Sequence, residues 1–292
     1  MTHEEKLNIA ARLRDYCRQK GSQNKAANSM NGVSSATISK VLADDWDTIS
    51  DAMWRTIAAQ SGHDAREWQM AETRASRRMT FLLDNARRDS LVLAVVGDAG
   101  SGKTEAVKHY TAAHSDVYHL CCSEYWNRRT FMGKLLRSMG IDYCGSTVSE
   151  MMDDIIDTLK RKAHPLIVLD EADKLPDQVL YFFISLYNGL EGHCGIVLCA
   201  TAYLEKRVKR GLRLGRKGYE EIYSRLGRKF VALQAVNGED VAAVCRANGI
   251  EDNRAIRRIS DDSDCDLRRV KRAVWAMREQ KNNSNVYETS TQ

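Results

Sequence analysis

A run of glycines ending in a lysine and a threonine is the segment of this sequence best suited to chemistry. Residues 97–104 read Gly-Asp-Ala-Gly-Ser-Gly-Lys-Thr and match the spacing G-x-x-x-x-G-K-[ST] without a gap. Glycines allow a tight turn whose backbone N–H groups point inward, and a helix that begins there adds partial positive charge. Both features suit phosphate oxygens, so the sequence predicts an ATP site. The predicted contacts are Gly97, Gly100, Ser101, Gly102, Lys103 and Thr104.

Two side chains of this segment have specific predicted tasks. The ammonium group of Lys103 can reach the β- and γ-phosphates, and the hydroxyl of Thr104 can bind Mg²⁺. The alternative is a fortuitous glycine-rich turn between a strand and a helix. An apolar strand before the segment and a helical pattern after it favour the ATP site over that alternative.

A pair of acidic residues follows a second apolar strand, in the sequence Leu-Ile-Val-Leu-Asp-Glu-Ala-Asp at 166–173. Because parallel strands end at the same edge of a sheet, both carboxylates are expected beside the glycine-rich segment. Asp170 is suited to hold Mg²⁺, and Glu171 is suited to activate the attacking water. An acidic helix cap is the alternative, and it would be preferred if the glycine-rich segment were absent.

Three further residues are candidates for the same reaction. Thr201 ends the apolar strand 195–200 and can either contact the γ-phosphate or simply cap the next helix, two readings of equal weight. Segment 220–229 contains arginines, one of which can stabilise the transition state from a neighbouring subunit. Arg225 is the first choice and Arg228 the second, and a solvated basic turn is the alternative.

The elements that must position these residues alternate between strands and helices. Apolar strands are predicted at 91–96, 117–122, 166–170, 195–200 and 229–233, and helical patterns separate them. This alternation predicts an α/β fold in which a parallel sheet is covered by helices on both faces. We assign this core to residues 81–235, followed by a helical lid at 236–281 and a polar, disordered tail at 282–292.

The N-terminal part is predicted to be all-α. Residues 1–61 form a helix-turn-helix domain, and 62–80 form a linker or bridging helix. In this domain Ala26 and Ala27 are small enough for two helices to cross closely, and Gly32 fits the turn. Ser35, Thr37 and Lys40 fall on the second helix, where they can contact DNA. No arginine is placed for a bidentate guanine contact, so strong sequence-specific reading is not expected, and a protein-interaction module is the alternative.

A denser basic segment, residues 206–217, carries seven cationic residues in twelve. Its glycines indicate a flexible loop, which would bind phosphates in a salt-dependent way without regard to sequence. A solvated basic surface is the alternative. The predicted DNA contacts are Lys206, Arg207, Lys209, Arg210, Arg213, Arg216 and Lys217.

Composition excludes several classes of protein. The formal net charge of +5 is mild, and 43% hydrophobic residues are ordinary for a globular protein. No apolar run reaches the ~18 residues of a membrane span, and no signal peptide precedes the first helix, so a cytoplasmic protein is expected. The eight cysteines form no C-x-x-C pair, which favours buried reduced thiols over disulfides or zinc ligands.

Taken together, these motifs resemble the AAA+ ATPases. The resemblance rests on the glycine-rich segment, the D-E-A-D strand end, the polar strand end at Thr201, Ser224-Arg225-Leu226 before the last strand, and the helical lid. It implies that a lid arginine contacts the nucleotide from a motif similar to G-x-x-R. Arg268 is the closest match, although the glycine of that motif is absent here.

Within the AAA+ ATPases, the order of domains and residues 97–106 resemble the DNA transposition protein B family of Mu-like phages. The resemblance covers about residues 10–280 and departs from the family at Thr201, where asparagine is expected. It implies a protein that uses ATP and Mg²⁺, binds double-stranded DNA of any sequence and assembles with itself into a ring or filament. It further implies delivery of that DNA to a transposase in the cytoplasm of a bacterial host.

Two other functions share most of these features. A helicase-loader-like AAA+ protein of a phage or mobile element would have the same ATP site but would hand a helicase to DNA. A transcriptional regulator switched by ATP would use the helix-turn-helix to read a promoter, which the scarcity of base-reading residues disfavours.

Overall fold

The computed structural model describes residues 1, 3–61 and 68–289, and it has a five-stranded parallel sheet at its centre. The strands are β1 (Val92–Val96), β2 (Val117–Cys121), β3 (Leu166–Asp170), β4 (Gly195–Ala200) and β5 (Phe230–Ala232). They lie in the order β2-β3-β4-β1-β5, and every neighbouring pair is parallel. The predicted α/β fold is confirmed, and β5 is shorter than the five residues predicted for it.

Helices cover both faces of the sheet, as the uniformly apolar strands require. Successive residues of a strand point to opposite faces, so Ile167 and Leu169 pack in one core cluster and Leu166 and Val168 in another. The helices of this core are α5 (Arg74–Arg88), α6 (Lys103–Ala113), α7 (Arg128–Ser138), α8 (Val148–Lys160), α9 (Asp177–Leu190), α10 (Ala202–Arg213) and α11 (Tyr219–Arg225). Helices α5 and α6 lie on one face and α7–α11 on the other.

The N-terminal region has a separate small core. Its helices are α1 (His3–Lys20), α2 (Gln23–Ser29), α3 (Ser35–Leu42) and α4 (Asp51–Ser61). As predicted, Ala26 and Ala27 are buried where the helices meet, and Val33 and Ile38 are buried in the same core. The region docks on the end of α7, where Gly140 has φ +73° and a Cβ there would lie 2.6 Å from Lys25 Cβ. Residues 62–67 of the predicted linker lie outside the described residues.

Three C-terminal helices lie in the region predicted to be a lid, and they are called the lid below. They are α12 (Gly238–Ala247), α13 (Asn253–Ser263) and α14 (Leu267–Thr289), and the first two pack with the start of α14 around their own apolar cluster. The prediction of a disordered tail from residue 282 is wrong as far as residue 289, because the backbone of α14 continues to Thr289. Residues 290–292 lie outside the described part of the chain. Among the described residues, no helix is long and apolar enough to cross a membrane.

Candidate functional site

The glycine-rich segment, residues 97–104, links β1 to the first turn of α6 and is called the P-loop below. Gly100 and Gly102 have φ of +77° and +86°, a left-handed conformation that glycine adopts without steric cost. Lys103 Nζ lies 2.8 Å from Gly97 O and 2.7 Å from Asp98 O, so the ammonium group stands over the loop. Burial lowers the pKa of Lys103 despite the nearby Asp170 carboxylate.

Asp170 is at the end of β3 and is almost completely buried. Its Oδ2 accepts a hydrogen bond from Thr104 Oγ1 at 2.7 Å, and its Oδ1 accepts one from Glu171 N at 2.9 Å. Burial acts to raise the pKa of Asp170, but the adjacent His119 ring and the Thr104 hydroxyl outweigh it and keep that pKa below its usual value. The two predicted Mg²⁺ ligands therefore meet, with Asp170 held in its ionised form.

Glu171 follows Asp170 in a left-handed conformation, with φ +55°, which is rare for a residue with a side chain. Such strain is typical of functional sites. Glu171 Oε2 is 2.6 Å from Lys174 Nζ and 3.5 Å from Cys121 Sγ. Neither neighbour was predicted from the sequence. The pairing of β2 with β3 could have placed Cys121 at the site, because Cys121 ends β2 opposite Asp170.

Thr201 caps the next helix, one of the two tasks considered for it, and its contact with the γ-phosphate stays a prediction. Its Oγ1 accepts a hydrogen bond from Tyr203 N at 3.3 Å, so Thr201 caps the N-terminus of α10. The same hydroxyl donates to Asp173 Oδ2 at 2.6 Å, and Thr201 also lines the cavity beside the P-loop. The strand end is therefore tied to the acidic segment that contains Asp170 and Glu171.

A cavity of about 540 Å³ lies next to the P-loop, within the range of ~300–1,000 Å³ found for small-molecule sites. Residues 99–104 of the P-loop, Asp170, Glu171 and Thr201 line it, whereas Gly97, a predicted contact, does not. The walls that the sequence analysis missed are formed by Trp68, Met70, Ala71, Val244, Leu267 and Lys271. These largely apolar walls suit a purine base, and the P-loop suits the phosphates, so the cavity fits a nucleotide.

The lid touches the P-loop directly. Leu267 N donates to Gly100 O at 3.0 Å, and Asp266 packs so closely that a Cβ on Gly100 would lie 2.1 Å from its Oδ1. Only glycine fits there. Arg268 is next in the chain and lines the same cavity, where the sequence analysis expected a lid arginine.

The two candidate finger arginines lie elsewhere. Arg225 stacks over Tyr187, with 5.2 Å between its guanidinium carbon and the ring centroid, and lines a separate cavity near the start of β1. Arg228 is exposed in the turn that precedes β5. Neither lines the nucleotide cavity of its own chain, whose phosphate end is at the opposite edge of the sheet.

The basic segment differs from its prediction. The prediction of a flexible loop is wrong, because residues 202–213 form α10. The buried Gly211 packs there against the ring of Tyr219. Arg207 as a DNA contact is also wrong, since its side chain is 15% exposed and engaged with Asp177, Tyr219 and two backbone carbonyls. The other six cationic residues, Lys206, Lys209, Arg210, Arg213, Arg216 and Lys217, are exposed.

The three N-terminal residues that were predicted to contact DNA differ in their exposure to solvent. Ser35 and Thr37 are half-buried in the first turn of α3, where the Thr37 hydroxyl is 2.9 Å from that of Ser34. Lys40 is exposed, and its Nζ donates to Thr48 Oγ1 at 2.9 Å. Their contact with DNA stays a prediction.

Comparison with known proteins agrees with this geometry. Residues 86–208, which run from the end of α5 into α10, match the AAA domain family. This part of the chain is therefore similar to AAA domains. It is also similar to the Mu-like prophage FluMu DNA transposition protein B of Haemophilus influenzae, with 26% identity over 237 residues that cover 77% of this chain and 80% of the relative. The resemblance predicted from the sequence is thus confirmed.

Proposed function

We propose that this protein is an ATPase that assembles on double-stranded DNA of any sequence and delivers it to a transposase. One observation carries the proposal: helix α10 follows directly on Thr201, which lines the nucleotide cavity, and carries exposed cationic residues along its length. A surface suited to phosphates thus begins directly after a residue of the nucleotide site.

For hydrolysis, each site residue has a distinct task. The P-loop N–H groups and Lys103 bind the phosphates of ATP, and Arg268 contacts them from the lid. Thr104 and Asp170 would hold Mg²⁺, which supplies positive charge to the phosphate oxygens when bound. Glu171 accepts a proton from the attacking water, and Thr201 orients that water or the γ-phosphate.

Binding to DNA is assigned to one side of α10. Tyr203, Lys206, Arg210 and Arg213 recur at helical spacing, are exposed, and are called the outer face of α10 below. Lysine and arginine side chains on a regular helix suit backbone phosphates, and Tyr203, which is 62% exposed, adds a ring beside them. Such contacts carry no sequence information, which fits a protein that accepts any target.

The position of Arg225 supports self-assembly. Because this residue lies at the edge of the sheet away from its own nucleotide cavity, it can act as a finger only in a neighbouring subunit. Hydrolysis would then need two adjacent subunits on the same DNA. The transposition role is carried over from the name of the Haemophilus influenzae relative.

The decisive measurement is the ATPase rate and particle size with and without random-sequence duplex DNA, in ATP, ADP and a non-hydrolysable analogue. We expect ATP-dependent assemblies on any DNA and hydrolysis stimulated by it, after which stimulation of a transposase is the next assay. A small fixed oligomer indifferent to random DNA would contradict the proposal and point to a helicase loader or a regulator.

A further inference from the structure

Arg207 is the most heavily engaged side chain of α10. Its Nη1 donates to Leu175 O at 2.7 Å and to Asp173 O at 3.2 Å, its Nη2 donates to Asp177, and its Nε donates to the Tyr219 hydroxyl at 3.2 Å. All three guanidinium nitrogens are therefore used. A lysine could not reproduce this planar set of donors.

These acceptors belong to the segment that positions Glu171. Asp173 and Leu175 lie two and four residues after Glu171, and Asp177 begins α9. Asp173 is fixed twice, through its carbonyl by Arg207 and through its carboxylate by Thr201 at 2.6 Å. Helix α10 thus holds the backbone that follows the strained Glu171 at both ends of a short span.

The network is partly shielded from water, since the Arg207 side chain is 15% exposed and that of Asp177 is 42% exposed. Tyr219 is 1% exposed and its hydroxyl donates to Asp177 Oδ1 at 2.8 Å. Burial acts to raise the pKa of Asp177, but the bonds from Arg207 and Tyr219 outweigh it and keep that pKa low. Charge-assisted bonds that join one guanidinium group to several acceptors fix its geometry more firmly than a single surface ion pair does.

Arg207 also borders the proposed DNA surface. Along α10 it lies between the buried stripe of Leu204, Val208 and Gly211 and the outer face. Lys206 precedes it in the chain, and Arg210 is one turn further on. DNA that binds the outer face and displaces α10 would therefore also displace the guanidinium group of Arg207 and the segment after Glu171.

We infer that Arg207 is a positioning residue that couples DNA on the outer face of α10 to the placement of Glu171 for hydrolysis. The inference rests on the proposed function. Arg207 itself touches neither DNA nor nucleotide. Through Arg207, the active arrangement of Glu171 depends on the position of α10. DNA that fixes α10 in this position therefore raises the rate of hydrolysis.

The test measures three quantities on the full-length chain: the affinity for fluorescent random duplex DNA, the affinity for a fluorescent ATP analogue, and the ratio of the hydrolysis rate at saturating DNA to the rate without DNA. Arg207→Gln is expected to lower this ratio about fivefold or more, within the usual size of coupling between sites, while both affinities stay within about twofold. Arg207→Lys should restore part of the ratio.

Arg210→Gln is the matched control, because Arg210 is exposed on the same helix. It should weaken DNA binding yet keep the full ratio once DNA is saturating, which is the opposite pattern. Tyr219→Phe removes one hydroxyl from the network, and it replaces Arg207→Gln in the test should that variant fail to fold. Tyr219→Phe should also lower the ratio.

The outcomes separate the two ideas. A full ratio in Arg207→Gln, or in Tyr219→Phe where it serves as the test, overturns the coupling role and leaves the proposed function standing. Parallel loss of DNA affinity and ratio in Arg207→Gln overturns the coupling role in favour of a direct DNA contact. A wild-type protein that neither binds DNA nor responds to it overturns the proposed function, and the coupling role with it.

Discussion

The Thr104 hydroxyl donates to an Asp170 carboxylate oxygen at 2.7 Å, although the two residues are 66 positions apart. They meet because Thr104 follows β1 and Asp170 ends β3, and both strands end at the same edge of the parallel sheet. A hydroxyl and a carboxylate at this distance are the oxygen donors that Mg²⁺ prefers. The sheet therefore assembles the candidate cation site directly beside the P-loop.

Replacing Lys103 by alanine tests the phosphate site. Because Lys103 is the cationic side chain that stands over the P-loop, we expect the affinity for ATP to fall by about 100-fold, the size of a lost charged contact of ~3 kcal/mol. The measurement is titration with a fluorescent ATP analogue. Lys108→Ala, at an exposed position on the same helix, should leave the affinity unchanged. Equal affinities in both variants would contradict the assignment.

Replacing Glu171 by glutamine separates binding from turnover. Glutamine has the same shape but cannot take a proton from water, so hydrolysis should fall by about 10²- to 10⁴-fold while ATP binding is kept. On DNA the variant should stay in a long-lived assembly, visible by size measurement. The exposed Glu191→Gln is the control. Normal turnover in Glu171→Gln would assign the base to another residue.

Replacing Arg225 by alanine tests the finger in trans. Arg225 lines a different cavity from the nucleotide site, so ATP binding should persist while DNA-stimulated hydrolysis falls by about 10³-fold. Mixing this variant with Glu171→Gln should restore part of the activity, since one subunit keeps a base and its neighbour keeps a finger. Mixtures as inactive as either variant alone would argue against an active site shared between two subunits. Full activity of Arg225→Ala alone would favour Arg228 as the finger.

Much of the core was predictable because its strands are buried on both faces. In β3 and β4 every residue is buried, which leaves an uninterrupted apolar run in the sequence. The residues at the ends of these runs, Asp170 and Thr201, could then be placed at one edge of the sheet from strand direction alone. Strand direction places both residues without any knowledge of side-chain contacts, and in the structure both line the same cavity at that edge.

The basic segment shows why other features could not be read in the same way. Gly211 resembles a loop glycine, but it permits close packing within a helix, since a Cβ there would lie 2.3 Å from Tyr219 Cγ. Its partner comes from tertiary structure, which no local pattern reveals. The spacing of Leu204, Val208 and Gly211 does mark a buried stripe, and that signal could have placed Arg207 at its border.

Neutralising the outer face of α10 tests the DNA surface. The triple variant Lys206→Gln, Arg210→Gln, Arg213→Gln removes three charges that face solvent, so DNA binding should weaken for every sequence alike. The slope of log affinity against log salt should become less steep by about 2.7, or ~0.9 for each lost phosphate contact. Affinity is measured by fluorescence anisotropy between low and moderate salt.

A matched control exists on the lid. Arg254, Arg257 and Arg258 are also exposed on a single helix, α13, so their replacement by glutamine removes the same net charge. Their loss should change the salt slope much less. Equal changes in the two triple variants would show that net charge, and not the outer face of α10, governs binding.

Asp240 makes the attachment of the lid sensitive to acid. Its carboxylate is 5% exposed and accepts bonds from Arg74 N at 2.9 Å and from the Arg74 guanidinium at 3.2 Å. Burial acts to raise the pKa of Asp240, but these bonds and that from Asn237 N outweigh it and leave the pKa below its usual value. A lowered pKa means that the carboxylate stabilises the fold above the unfolded pKa of ~3.9, and that this stability is lost as pH falls through the folded value.

Replacing Asp240 by asparagine should therefore lower the free energy of unfolding at pH 7 by about 1–2 kcal/mol, a figure reduced because Arg74 is partly exposed. Urea denaturation at pH 7 and near pH 3 measures the difference, which should shrink at the acidic end as the wild-type carboxyl becomes protonated. Asp262→Asn is the control, since Asp262 forms an exposed pair with Arg258. A difference that stays constant with pH would show that the charge of Asp240 contributes nothing and that the loss comes from the amide NH2 group, which replaces an acceptor oxygen by a donor.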